Sequence, residues 1–447
     1  MKNYTTDMTT GNTVKHIISF ALPALVGNIF QQIYNLADSV IVGRFVGADA
    51  LAAVGSTASI TFLFFALCNG IGSGGGIIVS QFYGAHDSAR VKNCIMNTGL
   101  VMLIVPLFFG TIGFIFAPAL LRFLSTPEEI LQPAALYIRL VCVGLLFVSL
   151  YNYLASMLRA LGDSRSPLYF LIMSTVINVI LDTIFVCVFR MGIKGVAIAT
   201  IVSQFTAMVS CALYARRHNA FFKLKKSDCT VSIDMLLRIV RLGIPLSLQF
   251  ALIAISSMAI QRIVNSYGTV VVAAFTSTSR IEQLIHQPYA TLGASIATFC
   301  GQNFGARKYD RVYLGYRKGF LIMTVVTVIM ICVMQFFGRS ITGLFVSDRQ
   351  VVELGTRGLR ITSLFYLALG TIYVVRGVLT GMGDAFFALF NGIVEVIGRF
   401  TIPLLMTKFL GMAEDGIWVS TGIVWILSGS TAWFRLFCRQ ERVPAVE

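Results

Sequence analysis

The chain alternates between long apolar stretches and short polar loops. Twelve mainly apolar stretches follow one another from end to end, and about 20 such residues suffice for a helix to cross a bilayer. The pattern predicts an all-α polytopic membrane protein with twelve transmembrane helices, bent or tilted where a stretch is longer than needed. The predicted segments lie near residues 16–43, 51–81, 93–118, 133–160, 168–189, 194–215, 237–264, 270–300, 315–337, 355–380, 386–409 and 416–437.

Composition supports a membrane protein and limits its partners. Of the 447 residues, 56% are hydrophobic and 12% charged, whereas soluble domains carry about 25% charged residues. The net charge of +15 could suggest nucleic acid, but the bases lie in short loops between apolar segments. The excess of bases in alternate loops predicts a multi-pass protein of the cell membrane with both termini cytoplasmic. Membrane lipids are therefore expected partners, and nucleic acid is not.

An internal repeat predicts how the helices are grouped. Several residue pairs are separated by 221 positions, including Gly72 and Gly293, Gln81 and Gln302, Asp163 and Asp384, and Gly195 and Gly416. A constant offset over five helices predicts two six-helix lobes related as a parallel repeat. We expect an N-terminal lobe at 1–222, a cytoplasmic linker at 223–235 and a C-terminal lobe at 236–447.

The first apolar segment carries a stripe of polar residues. Asn28, Gln31, Asn35 and Asp38 are spaced by three or four residues, so they lie on one helical face. A carboxylate facing lipid costs several kcal/mol, so Asp38 should face other helices or a cavity. Two interpretations remain: a polar helix contact, or an ion or proton site beside a substrate pathway.

A second polar group lies on the fifth segment. Asn178 and Asp182 are four residues apart and share a helical face. If Asp38 and Asp182 share a pocket, two carboxylates and an amide oxygen would suit Na⁺; equally, their repulsion would make one of them a proton carrier. Tyr137 could hydrogen-bond this group or be an aromatic residue of the membrane interface.

The second half departs from the repeat at these positions. Arg399 stands at the repeat position of Asn178, and Pro403 at that of Asp182, which places ion coupling in the first half. The second half has charges of its own, namely Glu282, His286, Arg376, Glu395 and Arg399. Glu395 and Arg399 are four apart, so we expect an ion pair. Glu282 would meet a cationic substrate or pair with Arg280, His286 or another base.

Nothing in the sequence points to an enzyme. The glycine-rich run at 72–77 lacks the lysine and hydroxyl residue of a phosphate loop, and no such loop occurs elsewhere. We expect no cofactor beyond a coupling ion, and any transport would be driven by an ion gradient. The expected partners are small molecules, with no obligate protein partner.

Three stretches resemble a known family. The run Met8–Asn12 with 20–24 and 27–47, the loop 80–85 and the loop 158–167 are similar to the multidrug and toxic compound extrusion (MATE) transporters. The resemblance implies a fold of two six-helix lobes. It also implies alternating access of the lobes and export of bulky cationic or aromatic compounds, such as drugs and dyes, against H⁺ or Na⁺.

The resemblance also implies roles for single residues. The family's cation site falls onto Asp38, Asn178 and Asp182, with Tyr137 beside them, and its bending first helix has a matching proline, Pro23. Some members carry a second acid pair on helices 7 and 10, but these helices have none here. This departure favours the DinF-type branch, which uses the first lobe.

Two other functions remain open from the sequence. One is a flippase for lipid-linked precursors, since such proteins line their cavity with bases and Arg376 and Arg399 lie in apolar segments. The other is a receptor or channel without coupled transport. The repeat and the paired acids favour the exporter over both.

Overall fold

The protein is almost entirely helical in the computed structural model. The model describes residues 5–440 apart from 125, 226, 227 and 229, and only the backbone at 35–40, 48, 49, 51, 254, 255, 257–259 and 440. The helices are α1 Thr13–Ile41, α2 Ala48–Gly84, α3 Ser88–Phe123, α4 Glu128–Ala160, α5 Arg165–Thr183, α6 Ile193–His218, α7 Ile233–Asn265, α8 Thr269–Gly305, α9 Tyr309–Gly343, α10 Arg349–Ser363, α11 Tyr366–Gly381, α12 Ala385–Leu404 and α13 Asp415–Gln440. No strand occurs among the described residues, so the all-α class is confirmed.

The predicted segments fall on these helices, with one break that was not located in advance. The segment predicted at 355–380 is two helices, α10 and α11, which meet at 51°. In the described part of the chain, ten helices are long and apolar enough to span a membrane, or eleven with this bent pair. Helix α8 is not among them, because Arg280, Glu282 and His286 and several hydroxyl residues lower its hydropathy.

The repeat is visible in the backbone itself. Residues in the left-handed region pair at the same 221-residue offset: Gly47 with Gly268, His86 with Arg307, Gly162 with Gly383, Arg190 with Gly411, and Gly192 with Ala413. The π-helical turns that follow α5 and α12 also correspond, at Ile184–Val188 and Leu405–Phe409. Left-handed residues are uncommon outside glycine. Their pairing shows that the two halves share a backbone path.

The described residues form two compact units. Unit 1 comprises Met1–Asp7 and Leu22–Ala251, and unit 2 comprises Met8–Ala21 and Leu252–Glu447. Helices α1 and α7 are therefore each divided between the units, close to Pro23 and Pro245. The lobe boundaries inferred from the repeat place each of these helices in a single lobe; those boundaries stay a prediction, as does the hinge role of Pro23.

Each unit has its own apolar core. In unit 1, Ile78, Met102, Leu145 and Met157 are fully buried side chains from α2, α3 and α4. In unit 2, the largest buried side chains include Phe299, Tyr366 and Trp425, from α8, α11 and α13.

A short peptide precedes α1 and is held by unit 2. The amide N–H of Met8 donates to Gln302 Oε1 at 2.9 Å, and the Met8 carbonyl accepts from Asn303 and Arg311. Lys308 Nζ donates to the Thr9 carbonyl at 3.0 Å. The Met8 side chain is 1% exposed, so this peptide is part of the core of unit 2.

Unit 1 holds the peptide before α7 in a related way. Asn97 accepts from the Ser232 amide and donates to the Thr230 carbonyl, at 3.1 Å each. Lys92 pairs with Asp228 at 3.2 Å. Each unit thus binds the peptide that leads into a divided helix.

Candidate functional site

Helix α5 carries a buried polar pair in unit 1. Asn178 and Asp182 are each 0% exposed and lie one turn apart on the face of α5 that packs against α6. Asn178 Nδ2 donates to Thr200 Oγ1 of α6 at 3.5 Å. The hydroxyl oxygens of Tyr34, on α1, and Thr200 are 3.3 Å apart. Thr200 therefore links α1 and α5 through one hydroxyl.

The predicted stripe on α1 is only partly described. Asn28 and Gln31 are half-buried, and Tyr34 lies on the same helical face. The side chains of Asn35 and Asp38 are outside the described residues, so the predicted meeting of Asp38 and Asp182 stays a prediction. Asn28, Tyr137 and Asp182 each interact with other groups, and Tyr137 is half-buried on α4.

A capped helix start positions this pair. Asp163, in the loop before α5, accepts from the Ser166 amide at 3.0 Å and from the Ser166 hydroxyl at 2.6 Å. Such a cap satisfies N–H groups that the first turn leaves free. Burial raises the pKa of the Asp163 carboxyl, and the bonds from Ser166 and Arg165 oppose that shift. The cap fixes where α5 begins, and this sets the positions of Asn178 and Asp182 along the helix.

The donors of this site are oxygen atoms, the ligands that hard cations prefer. Among the described residues, no three His, Cys, Asp or Glu side chains come together as a metal site. A cation held here would therefore rely on carboxylate, amide and hydroxyl oxygens together. The same carboxylates could instead carry protons.

Sequence reasoning missed two members of this group, Tyr34 and Thr200. Tyr34 could have been predicted from the sequence. It lies three residues after Gln31 and four before Asp38, so it belongs to the polar face of α1. Thr200 gave no signal, because threonine in an apolar helix usually bonds its own backbone. Only the packing of α6 against α5 shows its role.

Unit 2 contains a second buried polar group, on α11, α12 and α13. Arg376 Nη2 lies 2.9 Å from Glu395 Oε1, and the two side chains are 14% and 9% exposed. Arg376 also donates to Asn391 Oδ1. The single Ser428 hydroxyl proton is within reach of both Glu395 Oε1 and Asn391 Oδ1, at 3.1 and 3.0 Å. These bonds place the ion pair in a connected network.

The predicted ion pair between Glu395 and Arg399 is wrong in the structure, since Glu395 pairs with Arg376. The four-residue rule considers neighbours on one helix, whereas here α11 supplies a better-placed guanidinium.

Of the partners considered for Glu282, neither Arg280 nor His286 forms an ion pair with it among the described residues. Its carboxyl interacts with the Thr362 side chain and, electrostatically, with another base, Arg399. His286 Nδ1 lies 3.4 Å from the Tyr373 hydroxyl, and its ring packs edge-on against Trp425.

The chain matches one family along most of its length. The family model MatE matches residues 23–184 and again 245–405, so the two matches follow the repeat. The chain is 32% identical to a Bacillus subtilis protein named probable multidrug resistance protein YpnP, covering 100% of this chain and 99% of that protein. It is 29% identical to the probable multidrug resistance protein YoeA of the same organism, over 90% and 88% of the two chains.

Solved structures show the same fold. One described as the outward-facing conformation of a multidrug resistance MATE family transporter aligns over 100% of both chains, with a TM-score of 0.93 and 20% identity. The predicted placement in the DinF-type branch stays a prediction. The matching model, the relatives and the shared backbone together establish that this chain belongs to the MATE family of membrane transporters.

Proposed function

We propose that this protein is a secondary active exporter of chemically varied organic compounds, driven by an H⁺ or Na⁺ gradient. The observation that carries the proposal is the buried Asn178–Asp182 pair in unit 1, tied to α1 through Thr200 and Tyr34. A buried carboxylate in a spanning helix marks an ion or proton pathway by default. The names of YpnP and YoeA support drugs as substrates.

The coupling follows from the cost of a buried charge. An ionised Asp182 in an apolar helix favours either a bound cation or a bound proton. Helical spacing puts Asp38 on the face of α1 that carries Tyr34, so one ion would engage α1 and α5 together. Ion binding on one side of the membrane and release on the other would then favour different arrangements of α1. Substrate would leave while the ion enters, by alternating access.

We place the protein in the cell membrane with both termini cytoplasmic, as the distribution of bases indicates.

The matched control for the coupling test is Glu353→Gln, because Glu353 forms exposed ion pairs with Arg339 and Arg349. Its loss should change neither folding nor transport.

The test is dye export from proteoliposomes with a pH gradient alone and then a Na⁺ gradient alone. We expect one gradient to drive export by the wild type and by Glu353→Gln, and Asp38→Asn to be inactive although folded. Export by Asp38→Asn at the wild-type rate would refute the coupling role. Absence of export under both gradients would refute the exporter itself.

A second candidate is a flippase for lipid-linked anionic precursors. The observation that favours it is the pair of sheltered guanidiniums, Arg376 and Arg399, in unit 2. A flippase would move no cationic dye under either gradient, and would move an anionic headgroup between leaflets of the same vesicles. A receptor or channel would do neither.

A further inference from the structure

Buried polar atoms without a partner gather at one place in unit 2. Within the described part of the chain, Glu282 Oε1, His286 Nε2, Arg376 Nε and Arg399 Nε are buried and have no hydrogen-bond partner. Most buried polar atoms of native proteins are hydrogen-bonded. We call these four residues, with Tyr373 and Glu395, the unit 2 cluster. Four unpartnered atoms in one cluster leave hydrogen-bonding capacity that water or a ligand would satisfy.

Most of these atoms are donors. A guanidinium stays charged in proteins and has no acceptor atom, so the Nε–H groups of Arg376 and Arg399 each need an acceptor. His286 Nε2 also donates when Nδ1 accepts from the Tyr373 hydroxyl, from which it is 3.4 Å away. Three nitrogen donors therefore stand beside one carboxylate oxygen, on Glu282, and the buried Tyr366 hydroxyl close to Glu282 also has no partner among the described residues.

The two guanidinium groups of the unit 2 cluster differ in whether they have an ion-pair partner. Arg376 is neutralised by direct contact with Glu395. Arg399 forms no ion pair among the described residues, and it interacts electrostatically with the Glu282 carboxyl. An unpaired guanidinium in an apolar setting is costly. Arg399 is thus the cation of the cluster that an added anion would stabilise most.

The internal repeat shows that the two units carry different buried groups at corresponding positions. Arg399 occupies the position that Asn178 occupies in unit 1. Its helix, α12, also begins at a capping aspartate, since Asp384 accepts from the Phe387 amide. Where unit 1 presents an amide and a carboxylate, unit 2 presents a guanidinium. The two units therefore suit ligand groups of opposite charge.

Aromatic rings border the cluster. The His286 ring packs against Tyr373 and Trp425 at centroid distances of 6.1 and 5.8 Å, and Trp425 packs against Tyr366. Aromatic side chains favour flat, conjugated ligands by offset or edge-on stacking.

We propose that unit 2 binds the carboxylate of an aromatic organic acid or zwitterion, with Arg399, Arg376 and His286 as donors and Glu282 as the counter-ion that the ligand replaces. This site goes beyond the proposed function: it is separate from the ion site of unit 1 and needs no gradient. Because two adjacent carboxylates repel, Glu282 should take up a proton when the ligand binds. Binding should therefore tighten as the pH falls.

The groups around the Glu282 carboxyl come from four helices. They are Glu282 and His286 of α8, Thr362 of α10, Tyr366, Tyr373 and Arg376 of α11, and Glu395 and Arg399 of α12. Only Glu282 is expected to change charge on binding, since Glu395 stays paired with Arg376.

The test uses two dyes that differ in one group. Rhodamine 110 carries a free carboxylate, and rhodamine 123 is its methyl ester. Binding to the full-length protein is measured by fluorescence polarisation in lipid-free detergent, so that lipid phosphate cannot compete. We expect Arg399→Gln to weaken rhodamine 110 binding at least about tenfold and rhodamine 123 binding less than about twofold.

Two further variants keep the test decisive. The double variant Glu282→Gln/Arg399→Gln leaves no unpaired charge, so it should fold even if Arg399→Gln does not; it should also lose the preference for the free acid. Glu282→Gln alone should tighten rhodamine 110 binding near neutral pH and flatten its pH dependence. Arg357→Gln, in an exposed ion pair, is the control and should change nothing.

Three results would overturn the proposal. Equal losses for the two dyes would mean that Arg399 is merely structural. Unchanged rhodamine 110 binding in both Arg399 variants would mean that the carboxylate binds elsewhere. Binding of rhodamine 110 that does not tighten as the pH falls would exclude Glu282 as the displaced counter-ion.

Discussion

The two units differ most where their backbones correspond. Asn178 and Asp182 of unit 1 become Arg399 and Pro403 of unit 2, although the π-helical turns that follow both helices are retained. The backbone of the repeat therefore persists while its buried charge changes sign. One half can specialise in a coupling ion and leave the other free to recognise a different chemical group.

The largest expected effect is on coupling in unit 1. Asp182→Asn should abolish gradient-driven dye export, because a neutral amide can neither carry the proton nor balance the cation. The double variant Asp38→Asn/Asp182→Asn should be no worse than either single variant if both acids serve one ion. Export rates in proteoliposomes measure this.

The control lies at the corresponding position of unit 2. Pro403→Ala should keep export within about twofold, because no carboxylate is removed there. Equal losses from Asp182→Asn and Pro403→Ala would show that the two positions matter for folding rather than for coupling.

The next effect concerns the ion pair of unit 2. Glu395→Leu leaves Arg376 as a buried unpaired charge and should destabilise the protein by about 3–5 kcal/mol. Arg376→Met/Glu395→Leu removes both charges and should recover most of that loss. Thermal unfolding in detergent measures both. A double variant as unstable as the single one would mean that the network around Asn391 and Ser428 matters more than the pair.

A smaller effect is expected at the hydroxyl that joins α1 to α5. Thr200→Val keeps the side-chain shape but removes the partner of Asn178 and Tyr34, which should cost about 1–3 kcal/mol. Thr200→Ser should retain stability and apparent ion affinity, as the matched control. If valine and serine behave alike in the ion dependence of export, the hydroxyl has no part in the site.

The smallest effect is at the cap of α5. Asp163→Ala should cost about 0.5–2 kcal/mol through loss of the cap. Because burial raises the pKa of Asp163 in the folded protein, the free energy of unfolding should fall as the pH rises through that range. Asp163→Asn keeps an acceptor and does not titrate. Its free energy of unfolding should therefore increase relative to that of the wild type as the pH rises.

Thermal midpoints from about pH 4 to about pH 7 test this pH dependence. A wild type that instead becomes more stable relative to Asp163→Asn at higher pH would contradict it.

The helices, the repeat and the shared buried face of Asn178 and Asp182 were predictable from the sequence, because each rests on spacing along the chain. What depends on contact between helices was not. The partner of Glu395 is on another helix, and the hydroxyl of Thr200 has no signature of its own. The break between α10 and α11 falls at Leu364 and Phe365, which are ordinary apolar residues. The peptide before α1 is held through backbone groups of Met8 and Thr9, so the sequence did not show which residues would bind it.

The paired left-handed residues also bear on the origin of the chain. In the loop after α5 they are Arg190 and Gly192, and in the loop after α12 they are Gly411 and Ala413. In the loop after α5 the second of these residues, Gly192, is glycine, whereas in the loop after α12 the first, Gly411, is glycine. The other residue of each loop, Arg190 or Ala413, has φ of 52° or 47°. An ancestral half with glycine at both positions would account for both loops. Glycine at both positions would relieve the left-handed strain of Arg190 and Ala413, about 1–2 kcal/mol per residue, so Arg190→Gly and Ala413→Gly should each stabilise the protein.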